Sequence, residues 1–252
     1  MKVITWNCNG ALRKKTAAAD SFGADILVIQ ECEDPAQSTK EYREWAGSYL
    51  WKGKNKNKGI GVFSRNGYQL SELGWNGEFQ IKGLVSQSPS LRWTTADLES
   101  FLPCKINNEL TLLAVWTKSA SSPNFGYMGQ FWKFLQIHRE DLRKDKTIIC
   151  GDFNSNVKWD EPDRWWSHSD VVSELAGIGV QSLYHHQHKE AQGSESSPTF
   201  FLHRKEQKPY HIDYVFLSDD LVKDSSIIVG DINHWLEFSD HMPLEVTLKG
   251  HY

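Results

Sequence analysis

Short apolar runs recur along the chain, and most of them end on a polar residue. The runs are KVITWN, DILVIQE, GIGVFSR, LTLLAVW, TIICGDF, SPTFFL, HIDYVFL and PLEVTL. Several are continuous rather than alternating, which is typical of strands that other layers cover on both faces. We therefore predict a β-strand in each run.

Helical patterns and polar segments lie between these strands. We predict helices over residues 12–22, 127–143 and 169–177 and exposed loops over residues 52–59 (KGKNKNKG) and 185–197 (HHQHKEAQGSESS). The chain shows no internal repeat and no linker. The pattern predicts one domain over residues 1–252, folded as a four-layer α/β/β/α sandwich of two packed mixed sheets with outer helices.

The composition limits the partners that the protein can bind and the cellular compartments in which we expect it. The chain has 252 residues, 39% of them hydrophobic, and a formal net charge of -4, so a polyanionic partner would need local basic patches or metal ions. The four cysteines form no CxxC pair, which predicts reduced, buried thiols. The sequence MKVITWNCNG enters a strand without a signal peptide, and no apolar run approaches ~18 residues. We expect a cytoplasmic protein without a membrane segment.

The strand ends carry carboxylates, carboxamides and one histidine. These residues are Asn7, Asn9, Glu31, Asp152, Asn154, Asp213, Asp240 and His241. Each alone is compatible with an ordinary turn, but five strand ends of this kind in one chain indicate a site on a rigid sheet. Oxygen-rich ligands suit Mg²⁺ or Mn²⁺ rather than zinc, which points to chemistry at a phosphate ester.

Five segments in this order resemble the motifs of the exonuclease–endonuclease–phosphatase superfamily. They are WNCNG (6–10), IQE (29–31), GDFN (151–154), HIDYVFLS (211–218) and SDHMPL (239–244). The resemblance spans nearly the whole chain. It implies a deoxyribonuclease-like sandwich, in agreement with the layers predicted above.

The resemblance also implies roles for the strand-end residues. It implies a Mg²⁺ or Mn²⁺ site of four residues: Glu31 as the principal ligand, with Asn7, Asn9 and Asp240. Asp152 would orient or deprotonate the attacking water, with Asn154 as its hydrogen-bonding partner. His241 would hold the scissile phosphate. Asp240 would polarise His241 or ligate the metal, and Asp213 would support a histidine or the metal shell.

Trp116 departs from the family pattern. Family members usually have a His or Tyr at the end of the strand that here reads LTLLAVW. An indole N–H donates one hydrogen bond but cannot transfer a proton. Either the metal and His241 stabilise the leaving group, or Tyr127 or Lys118 takes this role. Trp116 is equally compatible with a packing residue.

Within the superfamily, short motifs favour the nucleases that resemble apurinic/apyrimidinic endonucleases. The PAWCDR motif of inositol-polyphosphate phosphatases is absent, whereas PTFF (198–201) and YHIDYVFLS (210–218) match this nuclease branch. Phe200, Tyr210 and Ile212 fall at the positions of an aromatic pocket that receives an extrahelical sugar. They are also compatible with plain core residues.

Two further sets of residues are candidates for contacts with nucleic acid. The lysines of KGKNKNKG could contact the sugar–phosphate backbone as a mobile arm, or could simply keep a loop solvated. Trp159, Trp165 and Trp166 could stack on bases or form a lid. Metal binding by YHHQH (184–188) is disfavoured, because this stretch lies in a polar, loop-like region.

The sequence thus predicts a Mg²⁺- or Mn²⁺-dependent phosphodiesterase, and among these a DNA endo- or exonuclease. We expect nucleic acid as the partner and a monomer. One alternative is a phosphatase or phosphodiesterase that acts on a small phosphorylated metabolite or lipid. Another is a nucleic-acid-binding protein that has lost catalysis, with Trp116 as the lesion.

Overall fold

A computed structural model describes residues 1–119 and 125–250 of the chain. The strands, in chain order, are β1 (Lys2–Asn7), β2 (Ile26–Cys32), β3 (Tyr49–Asn55), β4 (Lys58–Ser64), β5 (Leu70–Glu72), β6 (Glu78–Gln80), β7 (Arg92–Thr94), β8 (Phe101–Ile106), β9 (Leu110–Trp116), β10 (Thr147–Asp152), β11 (Val180–Ser182), β12 (Phe200–Phe201), β13 (Pro209–Tyr210), β14 (Asp213–Ser218), β15 (Ser225–Val229) and β16 (Leu244–Leu248). Each predicted run contains a strand, although SPTFFL contributes only two residues to one.

The helices lie between these strands. They are α1 (Thr16–Ser21), α2 (Lys40–Ala46), α3 (Met128–Arg143), α4 (His168–Gly177), α5 (Leu183–His188), α6 (Asp219–Val222) and α7 (Ile232–Trp235). Short 3₁₀ turns cover Leu12–Lys14, Pro35–Gln37, Thr95–Asp97, Val157–Trp159 and Leu202–Arg204. Within the described residues, no helix is long and apolar enough to cross a bilayer.

Two six-stranded mixed sheets form the centre of the fold. The first has the order β15-β16-β1-β2-β4-β3 and the second β11-β14-β10-β9-β8-β5. Parallel and antiparallel neighbours occur in both: β1 is parallel to β2 and antiparallel to β16, and β10 is parallel to β9 and antiparallel to β14. Two small two-stranded sheets, β6–β7 and β12–β13, complete the set.

Successive residues of the central strands face different layers. Ile148 lies in the core between the two sheets, whereas Ile149 packs with Phe131 of α3 on the outer face of the second sheet. Likewise Val3 faces the core between the sheets, and Ile4 faces the outer layer of the first. The strands are continuously apolar because both of their faces are buried. The α/β/β/α sandwich predicted from the sequence is therefore confirmed.

The predicted helix over residues 12–22 is broken into two pieces. A 3₁₀ turn (Leu12–Lys14) is followed by α1, and Lys15 between them has φ -124° and ψ 14°. The ammonium of Lys15 donates to the carbonyl oxygen of Cys8. The turn and this contact interrupt the helix.

The loop predicted over residues 52–59 is a β-hairpin. Strands β3 and β4 pair up to Asn55 and Lys58, and the N–H of Asn57 donates to the Asn55 Oδ1 at 3.0 Å. A Cβ on Gly53 or Gly59 would lie within 2.6 Å of the Trp51 ring. The two glycines thus allow this ring to lie across the hairpin. The segment therefore forms paired strands although its polar composition predicts a loop.

The predicted loop over residues 185–197 was also partly wrong. It begins inside α5, and its remainder is fastened to the body of the protein. Glu195 accepts hydrogen bonds from His185 Nε2 at 3.1 Å and from the Gly193 N–H at 2.8 Å. His168 Nε2 donates to Gln192 Oε1 at 3.2 Å. Side-chain contacts therefore replace regular pairing in this segment.

His168 makes the stability of the protein depend on pH. Burial lowers its pKa to about 4, whereas an unfolded histidine titrates near 6.5. The unfolded chain therefore takes up the proton first, so stability falls as the pH drops from 6.5 towards 4. We expect this residue to contribute a loss of about 2 kcal/mol between about pH 7 and pH 5. Urea unfolding at both pH values, on wild type and His168→Gln, measures it. Equal losses in the two proteins would contradict the assignment.

All four cysteines are free and buried, as the sequence predicted. Cys8 and Cys32 lie in the outer core of the first sheet, and Cys104 and Cys150 lie between the sheets. Burial raises the pKa of each thiol. The thiols are therefore protonated at neutral pH.

Candidate active site

Polar side chains from both sheets meet at one edge of the sandwich. Asn7 ends β1, and Glu31 lies near the end of the parallel neighbour β2. In the second sheet, Asp152 at the end of β10 pairs with Asp213 at the start of the antiparallel strand β14. His241 precedes β16, the other neighbour of β1. Sheet register thus brings together residues that are distant in sequence.

Asp152 is fully buried and fixed by three hydrogen bonds. Its Oδ2 accepts from Asn7 Nδ2 at 2.8 Å and from Asn154 Nδ2 at 2.9 Å, and its Oδ1 accepts from the Asn154 N–H at 2.9 Å. Asn7 Nδ2 also lies 3.4 Å from Glu31 Oε1. Asn7 therefore links the carboxylate of β10 to that of β2, and Asn154 is the predicted partner of Asp152.

His241 is oriented by Asp213. The imidazole Nδ1 donates to Asp213 Oδ2 at 3.0 Å, and Nε2 lies 4.0 Å from Asp152 Oδ2. Asp240 does not take the place of Asp213 in this hydrogen bond, since its Oδ1 lies 3.5 Å from Ser239 Oγ. Its charge contributes to raising the pKa of His241, and its role in polarising the imidazole stays a prediction. Adjacent side chains in an extended segment, such as those of Asp240 and His241, point to opposite sides. A ligand role for Asp240 also stays a prediction.

The charges of these buried groups depend on one another. Burial raises the pKa of Asp152 to about 7. Burial alone would lower the pKa of His241, but the carboxylates of Asp213 and Asp152 raise it to about 9. The raised pKa of His241 favours the imidazolium, and this positive charge in turn favours the ionised form of Asp152. The pair can then accept a proton at one atom and hold an anion at another.

The backbone around His241 is fastened to the first strand. The N–H of His241 donates to Ser239 Oγ at 3.0 Å, and Ser239 Oγ donates to the Asn7 carbonyl at 2.7 Å. Trp6 Nε1 donates to the His241 carbonyl at 3.0 Å. Sequence reasoning did not single out Ser239, although it opens the SDHMPL motif. It positions both Asn7 and His241.

Glu31 is the accessible carboxylate of the site. Its backbone has φ 62°, a left-handed conformation that non-glycine residues rarely adopt, and its Oε2 accepts from the Lys58 ammonium. The sequence places Lys58 only among the lysines of KGKNKNKG, and nothing in its local sequence predicts a contact with Glu31. An ammonium at this position shows that the carboxylate faces a space that accepts a cation.

The donor set fits a hard divalent cation. The carboxylate of Glu31 and the side chain of Asn7 adjoin one another, and one ligand atom each from Asp152, Asp213 and His241 lie within 4.8 Å of one another. Such oxygen-rich sets suit Mg²⁺ or Mn²⁺. The N–H of Asn9 donates to Asn7 Oδ1 at 3.0 Å and so fixes the Asn7 side chain, while the Asn9 side chain is exposed. A ligand role for Asn9 stays a prediction.

An aromatic pocket adjoins His241. It has a volume of about 430 Å³, and its lining includes Tyr127, Asn154, Trp159, Phe200, Tyr210 and Ile212. The Phe200 ring lies 4.6 Å from the His241 ring, and the Trp159 ring lies 5.4 Å from the Tyr210 ring. The structure thus brings the three residues predicted for a sugar pocket together beside the catalytic candidates.

Trp116 packs in the core between the sheets and is 7% exposed. The Lys118 ammonium lies 3.7 Å from the centre of its ring. Tyr127 is 47% exposed, and it lines the aromatic pocket. Of the two possible replacements for the usual His or Tyr, Lys118 contacts the Trp116 ring, whereas Tyr127 lines the aromatic pocket.

The other tryptophans and the histidine stretch have separate surroundings. Trp159 lines the pocket, Trp165 is 64% exposed, and Trp166 stacks on Phe125 at 4.4 Å, as expected for a partly buried residue. His185 of the YHHQH stretch bonds to Ser182 and Glu195. The one cluster of potential metal ligands among residues 1–119 and 125–250 is that of Asp152.

Comparisons with known proteins agree with this architecture. The 3′ phosphatase NExo from Neisseria, solved with a product DNA hairpin, superposes with a TM-score of 0.70 at 18% identity, over 99% of this chain and 100% of the other. An AP endonuclease from Archaeoglobus fulgidus gives 0.70 at 16% identity, with the same coverage. Truncated TDP2 from Caenorhabditis elegans gives 0.63 at 15% identity, over 98% and 96% of the two chains.

No curated protein sequence matches the chain significantly. The sequence profile of the Endonuclease/Exonuclease/phosphatase family, in contrast, matches residues 4–241 and so includes every residue of the candidate site. Structural likeness at such low identity shows the fold alone, whereas the profile match extends over nearly the whole sequence. The chain is a member of the endonuclease/exonuclease/phosphatase family.

Proposed function

We propose that the protein is a Mg²⁺- or Mn²⁺-dependent phosphodiesterase that hydrolyses the sugar–phosphate backbone of DNA. The observation that carries this proposal is the position of the Asp152–Asp213–His241 cluster, linked through Asn7 to Glu31 and bordered by an aromatic pocket. A phosphate that contacts His241 would have a buried base on one side and a ring-lined cavity on the other.

Glu31 and Asn7 would hold the divalent ion, with Asp240 as a further ligand. When bound, the ion would neutralise charge on the phosphate oxygens. The Lys58 ammonium donates to the Glu31 carboxylate and would have to move aside for the ion.

Asp152 would orient the attacking water and accept its proton. Three hydrogen bonds hold the carboxylate in one orientation, so the water is placed without a further entropic cost at the moment of reaction. The water oxygen attacks phosphorus, the bond from phosphorus to the leaving oxygen breaks, and the leaving oxygen takes up a proton from the solvent. Because burial raises the pKa of Asp152, the ionised carboxylate is a stronger base than an exposed aspartate.

His241 would stabilise the charge that develops on the phosphate. Its Nδ1–H is engaged by Asp213, so the protonated Nε2 is directed away from this carboxylate and towards the site. A positioned imidazolium donates to a phosphoryl oxygen most strongly when charge accumulates there. The raised pKa keeps this proton in place at neutral pH.

DNA is the substrate that the pocket favours over a small metabolite. Aromatic rings such as Phe200 and Tyr210 suit the sugar of a nucleotide turned out of the helix. Two structural neighbours support this choice, because NExo was solved with a DNA hairpin and the Archaeoglobus protein is an AP endonuclease. The deoxyribose without its base would fit the pocket with the least distortion of the duplex.

A nicking experiment tests the proposal. Supercoiled plasmid, an intact duplex and the same duplex with one abasic site are each incubated with Mg²⁺ or EDTA. We expect metal-dependent cleavage, fastest at the abasic site. His241→Ala should lower the rate by roughly 10²- to 10⁴-fold, because it removes the donor to the phosphate.

The control is Phe200→Ala, which keeps His241 and Asp152 but removes one wall of the pocket. It should reduce the preference for the abasic duplex while plasmid nicking persists. Cleavage that survives in EDTA or in His241→Ala would indicate a contaminating nuclease. Failure of the wild type to cleave any of the three substrates would contradict the proposal and favour a small phosphorylated substrate.

A further inference from the structure

A second depression lies on the other side of the candidate site. Two cavities of about 580 and 230 Å³ share Lys54, Leu98, Glu99, Ser100 and Lys118, and so form one continuous depression. We call it the lysine groove. Its walls are the β3–β4 hairpin, the segment from β7 to Ser100, the residues after β9, and α3.

The lysine groove is locally positive in a protein of net charge -4. Five cationic residues line it: Lys52, Lys54, Arg92, Lys118 and Lys133. Only two carboxylates, those of Asp97 and Glu99, line it with them. The excess of positive charge favours an anionic ligand with more than one charge.

The ion pairs within the groove are weak competitors for such a ligand. Lys54 pairs with Glu99 at 2.7 Å, and Arg92 pairs with Glu78 at 2.8 Å. The side chains of Lys54 and Arg92 are 73% and 38% exposed. An exposed lysine pair contributes little, so Lys54 can turn to a phosphate at small cost. Arg92 uses two of its five N–H donors on Glu78, at 2.8 and 3.2 Å, and can offer the others to a phosphate.

The strand order of the second sheet places the groove opposite the aromatic pocket. Along β14-β10-β9-β8, the pocket residue Ile212 directly precedes β14, and Asp152 ends β10. The groove residues Lys118 and Ser100 follow β9 and precede β8. The N–H of Thr117, next to Lys118, donates to the Asp152 carbonyl at 3.0 Å. The catalytic candidates therefore lie between the two depressions.

The first sheet repeats this order. Along β16-β1-β2-β4-β3, His241 precedes β16, Asn7 ends β1, and Glu31 lies near the end of β2. Lys58, at the start of β4, comes next, followed by Lys54 of β3, which lines the groove. In both sheets, the site is therefore arranged in the same order across the strands. The aromatic pocket comes first, then His241 and Asp152, then Glu31, and finally the lysine groove.

The two depressions suit different halves of one substrate. The pocket beside His241 presents rings, whereas the groove beside Glu31 presents ammonium and guanidinium groups. A small phosphate ester would occupy only the aromatic pocket. A cavity of about 580 Å³ has the size of ordinary ligand pockets, so it can enclose nucleotides but not a duplex.

We propose that the lysine groove binds the phosphates of a single nucleic-acid strand beyond the scissile bond, on the side opposite the aromatic pocket. The inference rests on the proposed function and deepens it. It makes the substrate a polymer that continues past the site, held there by charge rather than by base readout.

Binding without turnover tests the groove. Fluorescence anisotropy of a labelled short oligothymidylate is measured in EDTA at several salt concentrations, for wild type and the double variant Lys54→Gln/Arg92→Gln. We expect about tenfold weaker binding of the variant at low salt. The slope of log affinity against log salt should fall by about 1.4, since each single-strand phosphate contact contributes about 0.7.

The matched control is Lys40→Gln/Lys144→Gln, which changes the net charge equally outside the groove at side chains that are 81% and 67% exposed. Its affinity and slope should stay at wild-type values. Equal losses in the two double variants would overturn the groove, because net charge alone would explain them. Absence of oligothymidylate binding by the wild type would overturn it as well.

Turnover separates this proposal from the proposed function. With Mg²⁺, the groove variant should raise KM for a long cleavable strand about tenfold and leave kcat within about twofold, since its interactions are made in ground and transition states alike. Hydrolysis of bis(4-nitrophenyl) phosphate, which has no further phosphates, should be unchanged. A wild type that hydrolyses no phosphodiester contradicts the function, whereas an active wild type with an unaffected groove variant contradicts the groove alone.

Discussion

Replacing Asp213 by asparagine is expected to lower kcat by roughly three orders of magnitude with little change in the fold. The Asp213 carboxylate accepts the Nδ1–H of His241 and, with Asp152, raises the pKa of the imidazole to about 9. An amide can present its NH₂ to Nδ1 and so favour the wrong tautomer, and it removes a charge that keeps the ring protonated. Losses of about 10⁴-fold follow the same change in serine proteases, which use an equivalent Asp–His pair.

Asp240→Asn is the matched control, because it makes the same chemical change at the next carboxylate along the motif. The imidazole Nδ1 is hydrogen-bonded to Asp213, and Asp240 is the smallest of the charges that raise the pKa of His241, so we expect a loss of less than about tenfold unless Asp240 ligates the metal. Steady-state kinetics on the cleaved DNA over a range of Mg²⁺ concentrations separate these roles. A larger loss in Asp240→Asn at saturating Mg²⁺ would support the role that the sequence predicts for Asp240 in polarising His241.

Gly151→Ala is expected to destabilise the protein by roughly 3 to 5 kcal/mol. The backbone at Gly151 has φ 147°, and a Cβ there would lie 1.8 Å from the carbonyl oxygen of Val115 on the paired strand β9. A backbone oxygen cannot move aside, so the strands would have to separate directly before Asp152. Backbone strain and overpacking each cost about 1 to 3 kcal/mol.

Urea unfolding followed by tryptophan fluorescence measures this loss, and Gly177→Ala is its control. A Cβ on Gly177 would meet nothing within 4 Å, and the residue lies in the last turn of α4. Alanine there should leave stability unchanged or raise it by about 0.5 kcal/mol. A Gly151→Ala protein with the wild-type unfolding midpoint would show that the two strands can shift without cost.

The layers of the fold and most of the site were predictable, because local signals and long-range structure agree there. Ile148 and Ile149 are both apolar, and a strand that is covered on both faces requires this. Asp152 ends this strand in the sequence as it does in the structure. Polar residues at the ends of apolar runs therefore marked the correct edge of the sandwich.

The resemblance implied two possible partners for His241, Asp213 and Asp240, and the sequence alone did not choose between them. Asp240 is adjacent in sequence, whereas Asp213 reaches the imidazole only because β14 pairs with β10 and both sheets pack at this edge. Sequence adjacency says little about direction, since successive side chains in an extended segment point to opposite sides. Such a choice depends on sheet packing, which the local pattern does not encode.

At the hairpin over residues 52–59, the local composition and the observed structure disagree. Its lysines, asparagines and glycines have the composition of a loop, yet the two glycines admit the Trp51 ring and allow β3 to pair with β4. This pairing fixes Lys54 in the lysine groove and Lys58 on Glu31. A composition that indicated a mobile arm thus belongs to an ordered edge of the site.

The buried thiols have a practical consequence for labelling. Because Cys8, Cys32, Cys104 and Cys150 are shielded and protonated, maleimide reagents should leave the native protein unmodified at neutral pH. A cysteine introduced on the surface would then carry the dye by itself, without removal of the native four. Fluorophores could be attached at chosen points, and the passage of a strand across the protein could be followed by energy transfer.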